Sequence, residues 1–384
     1  MTKASDSLPL VVLDGRTLNR PHVRGIGRYA LQLLRRTDGD LRWLVLGDSP
    51  EFPLHVPACQ HVQSSVFETR GYRFHAWEQL GVPLRTRRAA ADVLFFPGTT
   101  ASFWQPVPTV ITVQDVIPWL NAGEELGAGL YRDRVLPHAF RRAAAIITPS
   151  RHSAGDLARL WPQLKDKISV IPHGVEDTFL TITAGTLPPS LREMGVAQPY
   201  LMYLGGEIPR KRLTWALDVW MDVGDPTVKL VVCGLPPAFQ SDVRGRVPPE
   251  WRESLCFASF IPEQDMPALY ANAVAVLYPT TYEGFGFPAI EAQACGSPVL
   301  FSASGSLCEL VGPGAHVLAP DDAVGWRETC RTLLAQRRAV IRQHTEARRW
   351  AGQFSWAASA RRHVELFQAV ARRTSRRPAV GAAA

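Results

Sequence analysis

The sequence predicts an α/β protein built from two Rossmann-like domains in tandem, and three observations predict it. The 384 residues exceed one ordinary domain and suit two of roughly 100–200 residues each. Short continuous apolar runs, as strands buried on both faces of a parallel sheet require, alternate with stretches of helical periodicity. That alternation lapses between Pro172 and Pro199, where Gly185-Thr-Leu-Pro-Pro-Ser reads as a connection, and then starts again.

Leu8–Leu13 (LPLVVL) is the first apolar run. Beyond the loop 14–24, Ile26, Tyr29, Ala30, Leu33 and Leu34 recur at i, i+3, i+4, i+7 and i+8, one face of a helix. Strands follow at 41–46, 92–96, 109–113 and 145–148. Ser150 caps a helix through Leu160, and 168–171 is the last strand of the first series. The second series reads as strand 200–204, helix 213–221 and strand 229–233 ending at Gly234. A helix around 267–271, strand 273–277, helix 288–294 and strand 299–301 continue it, and helices dominate from about Ala323. No internal repeat with a period of roughly 20–50 residues is present. The first domain is placed at 1–184, with the second opening at 185. Ligands of such sheets bind beyond the carboxyl ends of the strands, here in a cleft expected between the domains.

Composition narrows the function classes. Hydrophobic residues at 46% supply large cores and exclude wholesale disorder. No apolar run approaches the roughly 18–20 residues of a membrane span, and 8–13 is too short for a secretory leader. The six cysteines form no C-x-x-C pair and read as buried small residues of a reducing compartment, so a cytoplasmic location is expected. The net charge of +7 is concentrated: residues 327–377 hold 13 arginines against three acids, leaving the remainder slightly acidic. This argues against a nucleic-acid-binding body. A solvated helix face with a basic tail explains the surplus, and peripheral contact with an anionic membrane is the functional alternative.

Chemistry concentrates in three loops. Tyr282-Glu283-Gly284-Phe285-Gly286-Phe287-Pro288-Ala289-Ile290-Glu291 joins a strand to a helix opening at Pro288. Its glycines let the backbone approach a ligand, and a helix start favours an anion such as diphosphate. Glu283 is placed to accept hydrogen bonds from sugar hydroxyls and Glu291 from a ribose; the plainer account is a shaped turn with a carboxylate complementing the helix dipole. The second loop, Gly205-Gly206-Glu207-Ile208-Pro209-Arg210-Lys211-Arg212, sets three cations at a helix start against the dipole's preference, which suggests a bound polyanion over a solvated basic turn. The third, Arg24-Gly25-Ile26-Gly27-Arg28, lacks the third glycine of a dinucleotide fingerprint, and no acid closes a second strand, which argues against a nicotinamide enzyme. Asp38-Gly39-Asp40 reads as a polar turn, and no metal site is expected.

The stretch from Tyr282 to Glu291 resembles the E-x7-E signature of the retaining glycosyltransferases of family four, which have the GT-B fold. The likeness continues in order. Leu13-Asp-Gly-Arg and Gly25-Ile-Gly-Arg-Tyr are similar to the opening of the mannosyltransferase-like branch, and Trp77-Glu-Gln, Asp92-Val-Leu, Pro97-Gly98 and Val113-Gln-Asp-Val-Ile-Pro follow. Ile147-Thr-Pro-Ser-Arg, Val170-Ile-Pro-His-Gly-Val-Glu, Pro209-Arg-Lys and Ala294-Cys-Gly-Ser-Pro-Val come next. Phe354-Ser-Trp356 is similar to the family's closing helix, which crosses back onto the first domain. The series spans roughly Leu10 to Val370 and sets the second domain at 185–352, with 353–384 as the returning helix and basic tail.

The resemblance implies a retaining, metal-independent hexosyltransferase moving a sugar from a nucleotide-diphosphate donor, such as a GDP-mannose-like sugar, to an acceptor hydroxyl. Its acceptor would be a glycan, lipid-linked or small molecule bound by the first domain, and no cofactor is implied. Glu283 would hold the donor sugar, with Phe285, Gly286 and Phe287 near the sugar or phosphate. Glu291 would bind the ribose, Arg210 and Lys211 would neutralise the diphosphate, and Gly206 would lie beside it. Gly25 and Gly27 would face donor and acceptor. One position departs: the family's His-Asp is Gln114-Asp115 here. Gln114 keeps hydrogen-bonding capacity but carries no proton charge, and is expected to bond the sugar as the histidine does. His173 reads as structural. A nucleotide-sugar epimerase or hydrolase of the same fold, and a non-catalytic nucleotide-sugar-binding subunit, stay open as alternatives.

Overall fold

The computed structural model describes residues 8–18, 23, 25–47, 59–63, 76–120, 129–336 and 341–375. The chain divides into two compact units, Met1–Gly174 with Trp356–Ala384, and Val175–Ser355.

The first unit is built on a seven-stranded sheet: β1 (Leu10–Asp14), β2 (Arg42–Gly47), β3 (Cys59–Gln63), β4 (Val93–Phe96), β5 (Thr109–Thr112), β6 (Ala145–Thr148) and β7 (Ile168–Val170). Their order is β3-β2-β1-β4-β5-β6-β7, all parallel. The second carries β8 (Tyr200–Leu204), β9 (Lys229–Cys233), β10 (Leu255–Ala258), β11 (Ala275–Tyr278), β12 (Val299–Ser302) and β13 (Ala315–Leu318). These run β10-β9-β8-β11-β12-β13, again all parallel. Both sheets therefore reverse strand order once, between β1 and β4 and between β8 and β11. At such a switch point neighbouring crossovers leave in opposite directions and open a crevice.

The central strands are buried on both faces, so apolarity is continuous along them. Tyr200 and Met202 pack into one layer of the second unit, Leu201 and Tyr203 into the other. The strands with no counterpart in the sequence reading, β3, β10 and β13, are all sheet edges. An edge strand needs no continuous apolar run: β3 reads Cys-Gln-His-Val-Gln, and β13 is only partly buried.

The helices used below are α1 (Ile26–Arg36), α2 (Val82–Arg88), α3 (Leu136–Arg142), α4 (Arg151–Leu160), α5 (Leu213–Asp222), α6 (Phe287–Ala294) and α7 (Trp356–Ser375). Single π-helical turns at Trp77–Gly81 and Tyr131–Val135 lead into α2 and α3. The Ser150 hydroxyl accepts from the Ser153 amide at 3.0 Å and caps α4. In the stretch where periodicity lapses lie two helices of five residues each, Asp177–Thr181 and Pro189–Glu193, too short to show a period.

The closing helix α7 belongs to the first unit. The Tyr29 hydroxyl of α1 stands 2.6 Å from His363 Nε2 on α7 and 2.9 Å from Thr112 Oγ1 at the end of β5. Phe367 meets Phe95 at 5.0 Å between ring centroids. Gly174 admits the helix start, since a Cβ there would lie 2.2 Å from the Trp356 backbone nitrogen.

Two of the resembling motifs meet inside this unit. Arg16 bridges Asp14 Oδ2 at 2.6 Å and Glu78 Oε2 at 2.7 Å, and the Tyr131 hydroxyl donates to the other Glu78 oxygen. All four side chains are buried, so the two π turns are tied to the carboxyl end of β1 by charge in a low dielectric.

Four cysteines (233, 256, 295 and 330) are buried, but Cys308 is exposed, contrary to the sequence reading, because it lies in the surface turn Gly305–Glu309; the Cys59 side chain lies outside the described residues. Of the arginine-rich stretch, Arg337, Arg338, Arg376 and Arg377 also lie outside them. Arg331 donates to the Val223 and Asp222 carbonyls at the end of α5, and Arg348 to the Cys295 carbonyl at the end of α6. Part of the basic surplus therefore serves helix ends. Asp38, Gly39 and Asp40 form an exposed turn. Among the described residues, no helix is long and apolar enough to cross a membrane.

Candidate active site

In the second unit the polar residues gather at the switch point. Arg210 and Lys211 sit in a 3-10 turn, Pro209–Lys211, following β8, and Glu283 lies in the loop following β11. Adjacent parallel strands therefore bring together residues more than seventy positions apart in sequence.

Glu283 is 9% exposed, and its Oε1 accepts from Arg210 Nη1 at 2.8 Å, from Lys211 Nζ and from Thr280 Oγ1 at 2.9 Å. Arg210 also donates to the Tyr282 carbonyl at 3.0 Å, and Lys211 to the Tyr278 hydroxyl at 3.1 Å while lying over that ring. Burial pushes the Glu283 carboxyl up, but Lys211 and Arg210 outweigh it and hold the group below the ordinary carboxylate range. It is thus an ionised acceptor, unable to deliver a proton near neutral pH. The sequence reading gave the carboxylate to sugar and the cations to diphosphate as separate tools; the fold pairs them. The third cation, Arg212, turns away to Asp321 at 2.6 Å and the Trp215 ring at 4.5 Å.

The loop backbones are held with equal care. A Cβ on Gly205 would lie 2.7 Å from the Tyr203 hydroxyl, which reaches the Gly206 carbonyl at 3.0 Å. Gly206 has φ +63° and Gly286 φ +103°, where a side chain on Gly286 would strike Leu307 at 2.5 Å. The Ser306 hydroxyl stands 2.8 Å from both the Glu283 and Phe285 carbonyl oxygens. Phe285 is buried, its ring 5.3 Å from that of the half-buried Phe287 and 6.1 Å from Phe354, so its side chain serves packing while its backbone stays at the loop.

Glu291 is the fifth residue of α6, past the first turn, and 4% exposed. The Tyr270 hydroxyl donates to its Oε2 at 3.1 Å, and burial and Glu291 push that phenol well above its usual range.

The first unit carries Gln114, Gly25 and Gly27. Gln114 follows β5. Its amide donates to the Thr99 hydroxyl at 3.0 Å, its Nε2 donates to the Pro97 carbonyl at 2.9 Å, and its Oε1 lies 2.8 Å from His173 Nε2. Since the Gln114 nitrogen faces a carbonyl, its oxygen must face His173, and His173 Nε2 carries the proton. Burial, then His363 and Arg28, push the His173 pKa down to about 3, so the ring is neutral. Gly25 is exposed at φ +50° and precedes α1. Gly27 lies inside α1, not in a loop, and a Cβ there would sit 2.5 Å from the Thr17 carbonyl. Packing there leaves no room for a side chain.

Thr280, Tyr278, Ser306 and Tyr270 around the carboxylates, and Thr99 beside Gln114, were not singled out in the sequence. Thr280 adjoins the motif and was the one within reach; the others arrive through strand pairing and loop return, which leave no periodic trace.

Residues 23–179 match the family described as glycosyltransferase family 4, and residues 198–336 that described as glycosyl transferases group 1. The chain is 30% identical over 323 residues to an O-antigen chain mannosyltransferase B of Escherichia coli, covering 78% of this chain and 84% of that protein. It is 24% identical over 300 residues to the serotype-specific mannosyltransferase WbdA of Escherichia coli, of which it spans 36%. Among solved structures, a sucrose-phosphate synthase from Thermosynechococcus elongatus superimposes with a TM-score of 0.76 at 19% identity, covering 95% of this chain and 99% of that one. The Anabaena protein HepE in complex with UDP and glucose gives a TM-score of 0.70 at 18% identity, covering 94% and 100%.

Proposed function

This chain belongs to glycosyltransferase family 4, in its mannosyltransferase-like branch, and from that membership we propose that it moves a hexosyl group from a nucleotide-diphosphate sugar to an acceptor hydroxyl with retained configuration. The observation that carries the reading is the Glu283–Arg210–Lys211 cluster on the two loops of the switch point. An ionised carboxylate only accepts hydrogen bonds, so sugar hydroxyls donate to Glu283. When the bond from sugar to diphosphate breaks, negative charge grows on the departing oxygen, and the largely buried Arg210 and Lys211 meet it. The acceptor oxygen bonds the sugar carbon on the same face, and its proton passes to the departing diphosphate. Charge neutralisation comes from these cations and not from a metal.

Glu291 binds the ribose through the carboxylate oriented by Tyr270, and Gly206 and the backbone from Phe285 to Phe287 line the donor. Gln114 offers its amide to the sugar, and the exposed Gly25 offers its backbone to the donor, while Gly27 sets the packing of α1. The printed names of the mannosyltransferase relatives favour a mannosyl donor, and the first unit takes the acceptor.

The test is product analysis on the isolated chain with GDP-mannose and UDP-sugars, with and without glycan acceptors, in the presence of a chelator. Transfer with an unchanged anomeric configuration by NMR supports the reading. Rearranged or hydrolysed donor without acceptor dependence would replace it by an epimerase or hydrolase, and binding without turnover by a non-catalytic subunit.

A further inference from the structure

Lys211 is held at both ends by two tyrosines that the transfer chemistry leaves without a role. Tyr203 lies in β8 and Tyr278 is the last residue of β11, and both are buried. Across these neighbouring strands Tyr203 pairs with Leu277, so Tyr278 points to the opposite face of the sheet. The core bears this out: Tyr203 packs with Leu201 and Leu277 in one layer, Tyr278 with Met202 and Val276 in the other. The turn Pro209–Lys211 beyond β8 is therefore reached by a phenol from each side.

From one layer, the Tyr278 hydroxyl accepts from Lys211 Nζ at 3.1 Å, and the ammonium lies 4.9 Å from the centre of that ring. From the other, the Tyr203 hydroxyl stands 3.2 Å from the Lys211 carbonyl oxygen and 3.0 Å from that of Gly206. The Tyr278 hydroxyl also bonds the Glu283 carboxylate. An ammonium only donates and a carboxylate only accepts, so a group shared by both has to accept from one and donate to the other. A phenol does this. A phenylalanine ring would fill the same space and make neither bond. Burial first, and then Glu283, lift both phenols above their ordinary range, so each keeps its proton.

Lysine depends on such support more than arginine does. Its charge is a point on a flexible stem, whereas stabilising the charge of a breaking bond requires a donor already in place. Glu283 offers Lys211 only Oε1, which also accepts from Arg210 and Thr280. The Tyr278 hydroxyl gives the ammonium a second acceptor and the carboxylate a further donor.

We propose that Tyr278 is a positioning residue for the transfer reaction. Its hydroxyl fixes the Lys211 ammonium where the diphosphate arrives, and it keeps Glu283 bonded when the diphosphate draws that ammonium away. Tyr203 sets the backbone of the same turn. The consequence for turnover rests on the transferase reading; the consequence for nucleotide binding does not.

A double-mutant cycle on the full chain tests this, read by calorimetric titration with UDP and GDP and by kcat/KM for the nucleotide sugar. Tyr278→Phe should weaken binding of the nucleoside diphosphate about fivefold and lower kcat/KM about tenfold, as loss of a bond to a charged group predicts. In a Lys211→Ala background both losses should shrink to less than about twofold, because the group that Tyr278 acts through is gone. A role in packing alone would give equal losses in the two backgrounds. Tyr203→Phe, which frees only the backbone, should weaken binding about threefold. Thermal unfolding checks each variant; if Y278F does not fold, Tyr278→Met, which also lacks the hydroxyl, takes its place in the cycle. Equal losses in both backgrounds, or wild-type constants for Y278F, overturn the proposal and leave the transferase reading standing. A wild-type chain that binds the diphosphates without transferring sugar overturns that reading instead, and the cycle in Kd still decides for Tyr278. Binding of neither nucleotide overturns both.

Discussion

The two units share the order of six strands but set different polar chemistry around the candidate site residues that follow them. In the second, Glu283, Arg210 and Lys211 form a charged cluster. In the first, the buried ion pairs of Arg16 with Asp14 and Glu78 lie at β1, while the half-buried Gln114 and the buried His173, Tyr29, Thr112 and His363 form neutral hydrogen-bonded contacts; burial pushes His173 down to about 3 and His363 to about 4, and lifts the Tyr29 phenol far above its usual range. A fold therefore does not set the electrostatics of its crevice; a handful of grafted side chains does. In the second unit the charges lie on the loops of the candidate site, and in the first the neutral groups hold helices and a single side-chain amide in one orientation.

That contrast is easiest to break at Glu283. Replacing it with alanine should lower kcat for transfer by at least 10²–10³-fold. It also leaves two nearly buried cations side by side, and removing one member of such a pair costs about 3–5 kcal/mol. Steady-state kinetics with chemical denaturation checks both, and full activity would reject the site. Arg210→Ala and Lys211→Ala should each weaken donor binding by roughly 10–100-fold, as loss of a charge-assisted bond predicts, with weaker binding at higher salt in the wild type. Calorimetric titration with a nucleotide sugar measures it.

The neutral side answers in stability instead of turnover. Tyr29→Phe removes the hydroxyl shared by His363 and Thr112 and should cost about 1–3 kcal/mol, because a buried partner is left unsatisfied. The pH response sharpens the contrast further. His173 and His363 are neutral when folded, with pKa values below the ordinary 6.5, so the unfolded chain binds more protons between those values. Their contribution is fully present above about pH 6.5 and is lost as pH falls toward 4 and then 3, at up to about 1.4 kcal/mol per pH unit for each ring. Thermal unfolding across that range should show it, and His363→Asn should flatten the slope. The smallest effect is expected at Gln114, where alanine should cut kcat/KM by about tenfold with little change in unfolding temperature. His173→Ala should reproduce part of that loss by releasing the amide, and His173→Asn should restore some of it.

Much of this was legible in the sequence because burial leaves a signature. Tyr200–Leu204 and, beyond its opening lysine, Lys229–Cys233 form continuous apolar runs, as strands covered on both faces must, and both were placed to the residue. Glu283, Arg210 and Lys211 stood out because charge beside glycine at a strand end conflicts with packing and with the helix dipole. The edge strands β3 and β13 left no such trace, whereas β10, Leu-Cys-Phe-Ala and mostly buried, carries the signature and was still not read. Nor did the close approach of Gly27, inside α1, to the Thr17 carbonyl, where a Cβ would clash. Glu78 and Arg16 were seen only as parts of separate motifs, 62 residues apart, and no local pattern says that they share a bond.

By itself the sequence determined what short-range physics encodes: which segments are strands and helices, that two α/β series follow one another, and which loops carry charge or glycine against local preference. Tertiary structure decided the pairings. Parallel strands β8 and β11 lie side by side although a whole domain half separates them in the chain, and only that adjacency sets Arg210 and Lys211 against Glu283. Contacts between residues distant in sequence depend on how the sheets are ordered, and strand order is a property of the packed whole that no local run of residues carries.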